Sequence, residues 1–321
     1  MTASISIVIP TLDRGELLLE TVRMLLELVE PADELMLVDQ TPDPPADVAE
    51  QLQAMEQSGA IRWIRLERPS IPHAMNVGLQ AARSPIVLFL DDDIIPDAQL
   101  VAAHRAKHAN CDPERVWGVV GQVLQPGEEP HARNGYQRKA GLRADFEFPF
   151  WSTETAQVAN VMAGNLSVRR EQALAVGGFD ENFSGSAYRF ETEFCRRLLA
   201  AGGEVHYEPA ASIRHLRAAR GGTRVTGNHL TSASPRHGMG DYYFALRSGV
   251  SLESAAYILR RPLREVRTRF HLAHPWYIPV KLLGEARALC SALGAWRRGP
   301  QLISNGGSEM PDRRPVTEAS N

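Results

Sequence analysis

Residues 85–97 read Pro85-Ile-Val-Leu-Phe-Leu-Asp-Asp-Asp-Ile-Ile-Pro-Asp97, an apolar run that stops on three carboxylates. Val, Ile, Leu and Phe without polar interruption suit a strand covered on both faces, as in a parallel sheet. Asp91, Asp92 and Asp93 then fall at its carboxyl end, where open α/β sheets bind ligands. Three adjacent anions repel one another unless a cation or water screens them, and a hard divalent metal prefers such oxygen ligands. The competing reading is an acidic turn capping a following helix, with Asp93 or Asp97 as N-cap and Pro96 in the first turn. The segment by itself leaves both open.

Outward from this run, strand-like and helix-like periods alternate. Residues 4–10, 34–39 and 61–66 read as strands, and 16–30, 73–82 and a stretch to about Ser58 after a Pro/Asp turn at 41–47 as helices. That alternation predicts βαβ units and a parallel sheet with its loop mouths on one edge. Residues 116–124 read as a fifth strand, 125–155 as a loop-rich insertion, and 187–201 as a helix closed by Gly202-Gly203. Two short strands are expected at 204–207 and 211–215, then a basic loop at 216–235 and helices near 236–249, 251–260 and 276–297. The fold class is α/β, a mostly parallel sheet with a C-terminal helical extension. The expected organisation is 1–235 as catalytic domain (1–124 nucleotide-binding half, 125–235 acceptor half and basic loop), 236–299 as extension, and 300–321 as a disordered tail.

Composition narrows the class. The 321 residues are 44% hydrophobic and 23% charged, which is ordinary for a soluble globular chain. A net charge of −3 gives no electrostatic footprint for nucleic acid. Cys111, Cys195 and Cys290 are far apart in sequence and make no disulfide framework, so a reducing cytosol fits best. No apolar stretch is long enough to span a bilayer. Residues 275–298, with Trp276, Tyr277, Trp296 and several cations, can form an interfacial amphipathic helix on the inner face of a membrane. Docking on the catalytic domain or on a homodimer mate fits the same pattern.

The ordered motifs resemble family-2 glycosyltransferases of the GT-A fold, the Rossmann-like fold of nucleotide-diphospho-sugar transferases. Ser6-Ile-Val-Ile-Pro-Thr-Leu-Asp-Arg14 is similar to the family's first strand and turn, and Glu34-Leu-Met-Leu-Val-Asp-Gln-Thr41 to its second strand with a nucleotide-contacting acid. Leu88-Phe-Leu-Asp-Asp-Asp93 resembles its metal-binding DxD. Ala163-Gly-Asn-Leu-Ser-Val-Arg-Arg170, Val176-Gly-Gly-Phe-Asp-Glu181 and Glu191-Thr-Glu-Phe-Cys-Arg-Arg-Leu198 resemble the acceptor and catalytic-base region. Ala74-Met-Asn-Val-Gly-Leu-Gln-Ala-Ala82 and Pro209-Ala-Ala-Ser-Ile-Arg-His215 add to the set, which covers roughly residues 4–215.

The resemblance implies transfer of a sugar from a nucleotide diphosphate, UDP or dTDP preferred, to an acceptor hydroxyl with inversion. Pro10, Thr11, Asp13, Asp39, Asn76, Asp91, Asp92, Arg217 and Arg224 are then the expected donor-binding residues, and Gly164, Asn165 and Asp180 the acceptor or sugar contacts. Asp93 and His215 are the expected ligands of Mn²⁺ or Mg²⁺, the imidazole leaning the choice towards Mn²⁺. Glu191 is the expected general base, with the departure that Phe190 stands where the family carries an acid. Glu193 reads as a surface or salt-bridge residue, and His104 and His108, spaced i, i+4, as an exposed helix face in preference to a zinc pair. Arg217, Arg220 and Arg224 around Gly221-Gly222 suit phosphate oxygens, and equally a solvated loop. The partners implied are a nucleotide sugar and a sugar, lipid-linked or natural-product acceptor. A non-catalytic sugar-nucleotide or polysaccharide-binding protein is the alternative. A nucleotidyltransferase is disfavoured, because residues 11–15 lack the Gly-rich basic loop that holds a triphosphate.

Overall fold

Two adjoining strand ends, β1 and β4, organise the molecule. The computed structural model describes residues 3–133, 135–137, 139–218, 220–222 and 228–304. β1 (Ile5–Thr11), β2 (Glu34–Asp39), β3 (Arg62–Arg65) and β4 (Ile86–Leu90) form a parallel set in the order β3-β2-β1-β4. The chain steps outward through β2 and β3, then α3 (Ile71–Ala81) carries it back to the other side of β1. The strand order therefore reverses between β1 and β4, which opens a crevice beyond their carboxyl ends. α1 (Glu16–Leu26) and α2 (Ala46–Gln57) complete the first units. All five residues of β4 are buried, as its unbroken apolar sequence requires.

The sheet continues through a second half with mixed pairing. β8 (Asn165–Arg169) lies antiparallel between β4 and β6 (Val116–Leu124), and β6 runs parallel to β9 (Glu204–His215). β7 (Ala156–Val158) borders the first part of β9 and β5 (Ile94–Pro96) its last part. The nine-stranded sheet is thus mostly parallel by ladder length.

Several boundaries differ from the sequence expectation for identifiable reasons. The first helix ends at Leu26, leaving Val29 exposed before Pro31. The two strands expected at 204–207 and 211–215 are one strand, β9, whose register slips between Glu208 and Ser212. Pro209 sits in that irregularity, the place a sheet tolerates a residue without an N–H. After Asp93 the chain forms β5, and α4 (Leu100–Ala109) starts only after Gln99, so Asp93 caps no helix.

The C-terminal extension comprises α7 (Met239–Arg247), α8 (Leu252–Val266), α9 (Arg269–Ala273) and α10 (Ile278–Arg298), with α5 (Arg170–Ala175) and α6 (Phe190–Ala200) preceding it. α10 packs on α7, and its buried positions include the small residues Gly284, Ala288, Ala292 and Ala295. Beyond it the chain turns back. The Glu181 N–H donates to Gln301 O (2.9 Å) and the Ile303 N–H to Gly177 O (2.9 Å). Residues 301–303 are therefore part of the fold, and of the expected disordered tail only 305–321 lies outside the described residues.

Candidate active site

The crevice between β1 and β4 is a cleft of about 380 Å³. Pro10, Thr11, Leu12 and Arg14 line it from β1, Asp91–Asp93 from β4, Gln125 from the end of β6, and Ala163-Gly164 from the approach to β8. Phe190 and Glu191 reach it from the start of α6, and His215, Arg217 and Ala218 from the end of β9. A cavity of about 450 Å³ at the opposite ends of β1 and β2 gathers only paired charges, Glu34 with Arg62 and Arg83, and no comparable cluster.

The three aspartates have three different surroundings. Asp91 projects into the cleft with its side chain 45% exposed, whereas Asp93 is 2% exposed. Antiparallel pairing of Ile94 with His215 brings the imidazole across from both. His215 Nε2 lies 3.1 Å from Asp93 Oδ1 and 3.7 Å from Asp91 Oδ2. Asp93 Oδ2 accepts from the Ala218 N–H (2.8 Å), while its buried Oδ1 has no aligned hydrogen-bond donor among the described residues. Burial opposes charge on His215, but the Asp93 carboxylate and the charge of Asp91 outweigh it and raise its pKa.

One ligand atom each from Asp91, Asp93 and His215 lies within 4.8 Å of the others. Two carboxylate oxygens and an imidazole, with an orphaned buried oxygen between them, fit a divalent cation such as Mn²⁺. His215 Nδ1 lies 3.1 Å from Gln125 Oε1, so a proton on Nδ1 can donate there; with an ion bound, Nε2 would then be free to ligate it.

Asp92 points the other way and is buried. Its Oδ1 accepts from Arg14 Nε (2.9 Å), whose guanidinium also lies 3.4 Å from Asp93. Burial pushes the Asp92 carboxyl up to about 7, with Arg14 and the Thr11 hydroxyl opposing the shift and Asp93 and Asp91 adding to it. Arg14 also donates to the Arg220 carbonyl (2.6 Å), and the Gly222 N–H donates to Leu12 O (2.7 Å). Gly221, at φ 78°, packs so close that a Cβ there would lie 2.4 Å from Asp13 O. The glycines seat this basic segment on the first turn.

Of the sequence-predicted residues, Pro10, Thr11, Asp91, Asp92, Asp93, Gly164, Glu191, His215 and Arg217 line one cleft. Gly164 leaves room for Asp91, since a Cβ would lie 2.0 Å from Asp91 Oδ2. Arg224 lies outside the described residues. Five others sit elsewhere. Asp13 is exposed on the turn, at φ 54°, and its N–H donates to Thr41 Oγ1 (2.9 Å). Asp39 is buried, its carboxylate accepting from the Thr41 N–H (2.9 Å) and Trp63 Nε1 (3.1 Å), and the cleft wall beside it is Gln40.

Asn76 was expected at the donor, yet its amide donates to Phe179 O and Glu181 Oε1 and accepts from the Phe179 N–H. Asn165, expected at the sugar, donates to Gln122 O and Ala211 O and accepts from His104 Nε2, behind the floor rather than on it. Asp180 accepts from Asn182 N–H, Gln301 N–H and Tyr243 Oη with no exposure. These three hold the fold because their polar atoms are used internally.

Two further expectations are corrected. His104 and His108 are buried, not exposed; both rings contact Ser167 Oγ, and burial pushes them down to about 4 and about 3, so both are neutral. Glu193 is ion-paired as expected, with Arg197 (2.9 Å) and Arg247 (3.6 Å), but it is buried. Phe190 packs on Phe179 with ring centroids 5.5 Å apart, and Phe150 and Phe148 pack on Tyr207. Arg14 and Gln125 are the site residues the sequence reading missed. Arg14 ends the first family-like segment, whereas Gln125 belongs to no motif.

Comparison with known proteins agrees with this architecture. A pre-mycofactocin glycosyltransferase of Mycobacterium tuberculosis (strain CDC 1551 / Oshkosh) is 31% identical over 144 residues, 44% of this chain and 29% of that protein. The chain thus spans less than a third of the length of this curated relative. The structure of GalNAc-T7 with UDP, GalNAc and Mn²⁺ superposes with a TM-score of 0.61 at 15% identity, covering 93% of this chain and 57% of the other. The mannosyltransferase PcManGT of Pyrobaculum calidifontis, in complex with GDP-Man and Mn²⁺, gives 0.53 at 18% identity, covering 92% and 76%. These likenesses show the GT-A fold. The sequence profile of glycosyl transferase family 2 matches residues 6–171, more than half of the chain, and the protein belongs to that family.

Proposed function

We propose that the protein is a metal-dependent, inverting glycosyltransferase that moves a sugar from a nucleotide diphosphate to an acceptor hydroxyl. The observation that carries this reading is the convergence of Asp91, Asp93 and His215 with Glu191 on one cleft at the sheet's switch point. Asp91, Asp93 and His215 would hold the divalent ion, which would supply positive charge for the departing diphosphate. Arg217, exposed at the cleft edge, supplies a guanidinium for phosphate oxygens. Arg14 fixes Asp92 and Asp93 from behind. Gly164 keeps the floor open for the sugar beside Asp91.

Glu191 takes the proton from the acceptor hydroxyl. The oxygen attacks the anomeric carbon opposite the leaving group, and the nucleoside diphosphate departs as the glycosidic bond breaks. UDP and dTDP are the carriers the family resemblance favours, although Asp39, the acid it placed at the nucleotide, is used within the fold. GDP sugars belong in the same screen, because one structural neighbour binds GDP-Man.

The test is a donor panel (UDP-, dTDP- and GDP-sugars) assayed for thermal shift and nucleotide release with Mn²⁺, Mg²⁺ or EDTA, using wild type and Glu191→Gln. The expected result is ion-dependent stabilisation by one carrier class, with turnover lost on the order of 10²- to 10⁴-fold in the variant. Wild-type turnover by Glu191→Gln removes Glu191 as base. Donor binding without transfer or hydrolysis in the wild type favours a non-catalytic binding protein.

A further inference from the structure

The outer face of α8 is apolar and uncovered. Leu252, Leu259 and Leu263 are 92%, 74% and 54% exposed. At about 100° per residue these three fall within about 40° of one another on the helix. They lie opposite Ser254, Tyr257 and Arg261, which pack inward. Just beyond the helix in sequence, Leu272 and Trp276 are also 73% and 64% exposed. Isolated apolar residues on a surface need no explanation, but a stripe with one helical phase does.

Charge flanks the stripe with one sign. Residues 250–299 carry nine Lys or Arg and three Glu, in a chain whose net charge is −3. All three acids are engaged within the fold. Glu253 accepts from the Leu142 N–H, Glu265 pairs with Arg261 and Lys281, and Glu285 pairs with the same two cations. Arg260, Arg267 and Arg269 are exposed and have no ion-pair partner among the described residues. Arg260 and Arg267 fall beside the leucines on the helix wheel.

We propose that the outer face of α8, with the α9 turn, docks on an anionic lipid bilayer. Leucine buried at the headgroup boundary, tryptophan at the rim and arginines on lipid phosphates are the chemistry of an interfacial helix. No helix among the described residues is long and apolar enough to cross a membrane, so contact is from the surface. A second copy of the chain is a poorer occupant, because a face-to-face pair brings like-charged arginines together. The proposal does not depend on the transfer chemistry.

The test is sedimentation of the full chain with phosphatidylcholine vesicles, with and without phosphatidylglycerol. Wild type is compared with Leu259→Ser/Leu263→Ser and with Arg260→Ala/Arg267→Ala, all checked for an unchanged melting temperature. Both pairs lie on exposed positions, so folding is expected to survive. The expected result is binding to anionic vesicles that weakens with salt and falls on the order of tenfold or more in each double variant. Absence of binding to anionic vesicles, equal binding to neutral ones, or undiminished binding by the variants overturns the proposal. A dimer in sedimentation velocity that the leucine variant abolishes also overturns it, and assigns the face to self-association.

Discussion

Arg189 and Asp241 tie the first turn of α6 to the first turn of α7, with Arg189 Nε 3.5 Å from Asp241 Oδ1. Arg189 adopts a left-handed backbone (φ 73°) immediately before α6, two residues ahead of Glu191, and its guanidinium stacks 3.6 Å from the Phe146 ring centroid. Asp241 is fully buried and also accepts from Tyr257 Oη (2.6 Å), Arg261 Nη1 (2.5 Å) and Arg264 Nη2 (3.2 Å). One carboxylate thus joins α6, α7 and α8. Close backbone packing reinforces it, since a Cβ on Gly240 would lie 2.3 Å from Tyr188 O.

Asp241→Ala leaves Arg261 buried without its nearest anion. Removing one member of a fully uncompensated buried ion pair costs about 3–5 kcal/mol; Arg261 keeps Glu265 (3.3 Å) and Glu285 (3.0 Å), so the expected loss lies below that range. Urea denaturation should show that loss, and the Arg189 turn ahead of Glu191 should become protease-sensitive in native buffer. A stability within experimental error of wild type would show that Asp241 does not hold the extension.

Gln125 bears on the ion site through its contact with His215 Nδ1 (3.1 Å). Gln125→Ala removes the acceptor at Nδ1, freeing the ring to rotate and to take the other tautomer. Loss of such an orienting partner weakens metal binding by about 10- to 100-fold. Titration with Mn²⁺ followed by electron paramagnetic resonance checks it. Gln125→Glu keeps an acceptor and is expected to restore affinity, an outcome that a merely local packing defect would not produce.

The contrast between Asp93 and Asn165 shows how far sequence carries a site. Asp93 was legible because its chemistry and its place coincide: it follows a buried strand that ends at the switch point, although Asp92 beside it turns inward to Arg14. Asn165 sits in an equally family-like segment, but one more residue of strand turns its amide towards His104 and the β6 and β9 carbonyls. Side-chain direction changes with each step along a strand, and no motif states where a strand begins. His104 and His108 were misplaced for a related reason. Their i, i+4 spacing fixes a shared helix face but not whether that face meets solvent or Ser167. The parallel first half of the sheet followed from local patterning, whereas β5 and the return of residues 301–303 depend on contacts distant in sequence.

His73 and Glu181 make stability depend on pH. His73 Nδ1 lies 3.1 Å from Glu181 Oε2, joining α3 to the segment before α6. The hydrogen bond to Glu181 raises the His73 pKa against partial burial. Burial opposes charge on Glu181, but His73 and Asn76 outweigh it and lower its pKa. The His73 contribution is fully present below its ordinary 6.5 and is lost as pH rises through the raised value. The Glu181 contribution is present above its ordinary 4.5 and is lost as pH falls through the lowered value. Their shared window lies between those ordinary values. His73→Ala is therefore expected to destabilise the protein at about pH 5.5 and to matter little at about pH 9, as read by urea midpoints. Equal losses at both would mean that the pair is uncharged or irrelevant.

Gly164→Ala separates the ion site from the fold. The new Cβ would lie 2.0 Å from Asp91 Oδ2, the far end of a side chain already 45% exposed, so the carboxylate can swing into the cleft without moving backbone. The Gly164 carbonyl keeps its bond from the Asp91 N–H (3.2 Å), and β4 and β8 stay paired. The melting temperature of the ion-free protein is therefore expected to change little. Mn²⁺ affinity is expected to fall on the order of tenfold or more as the Asp91 oxygen leaves the cluster, since ligand placement governs metal affinity as strongly as ligand identity. Calorimetric titration with Mn²⁺ reads the affinity directly. Unaltered Mn²⁺ binding by a folded Gly164→Ala protein would remove Asp91 from the ligand set and leave Asp93 and His215 to hold the ion.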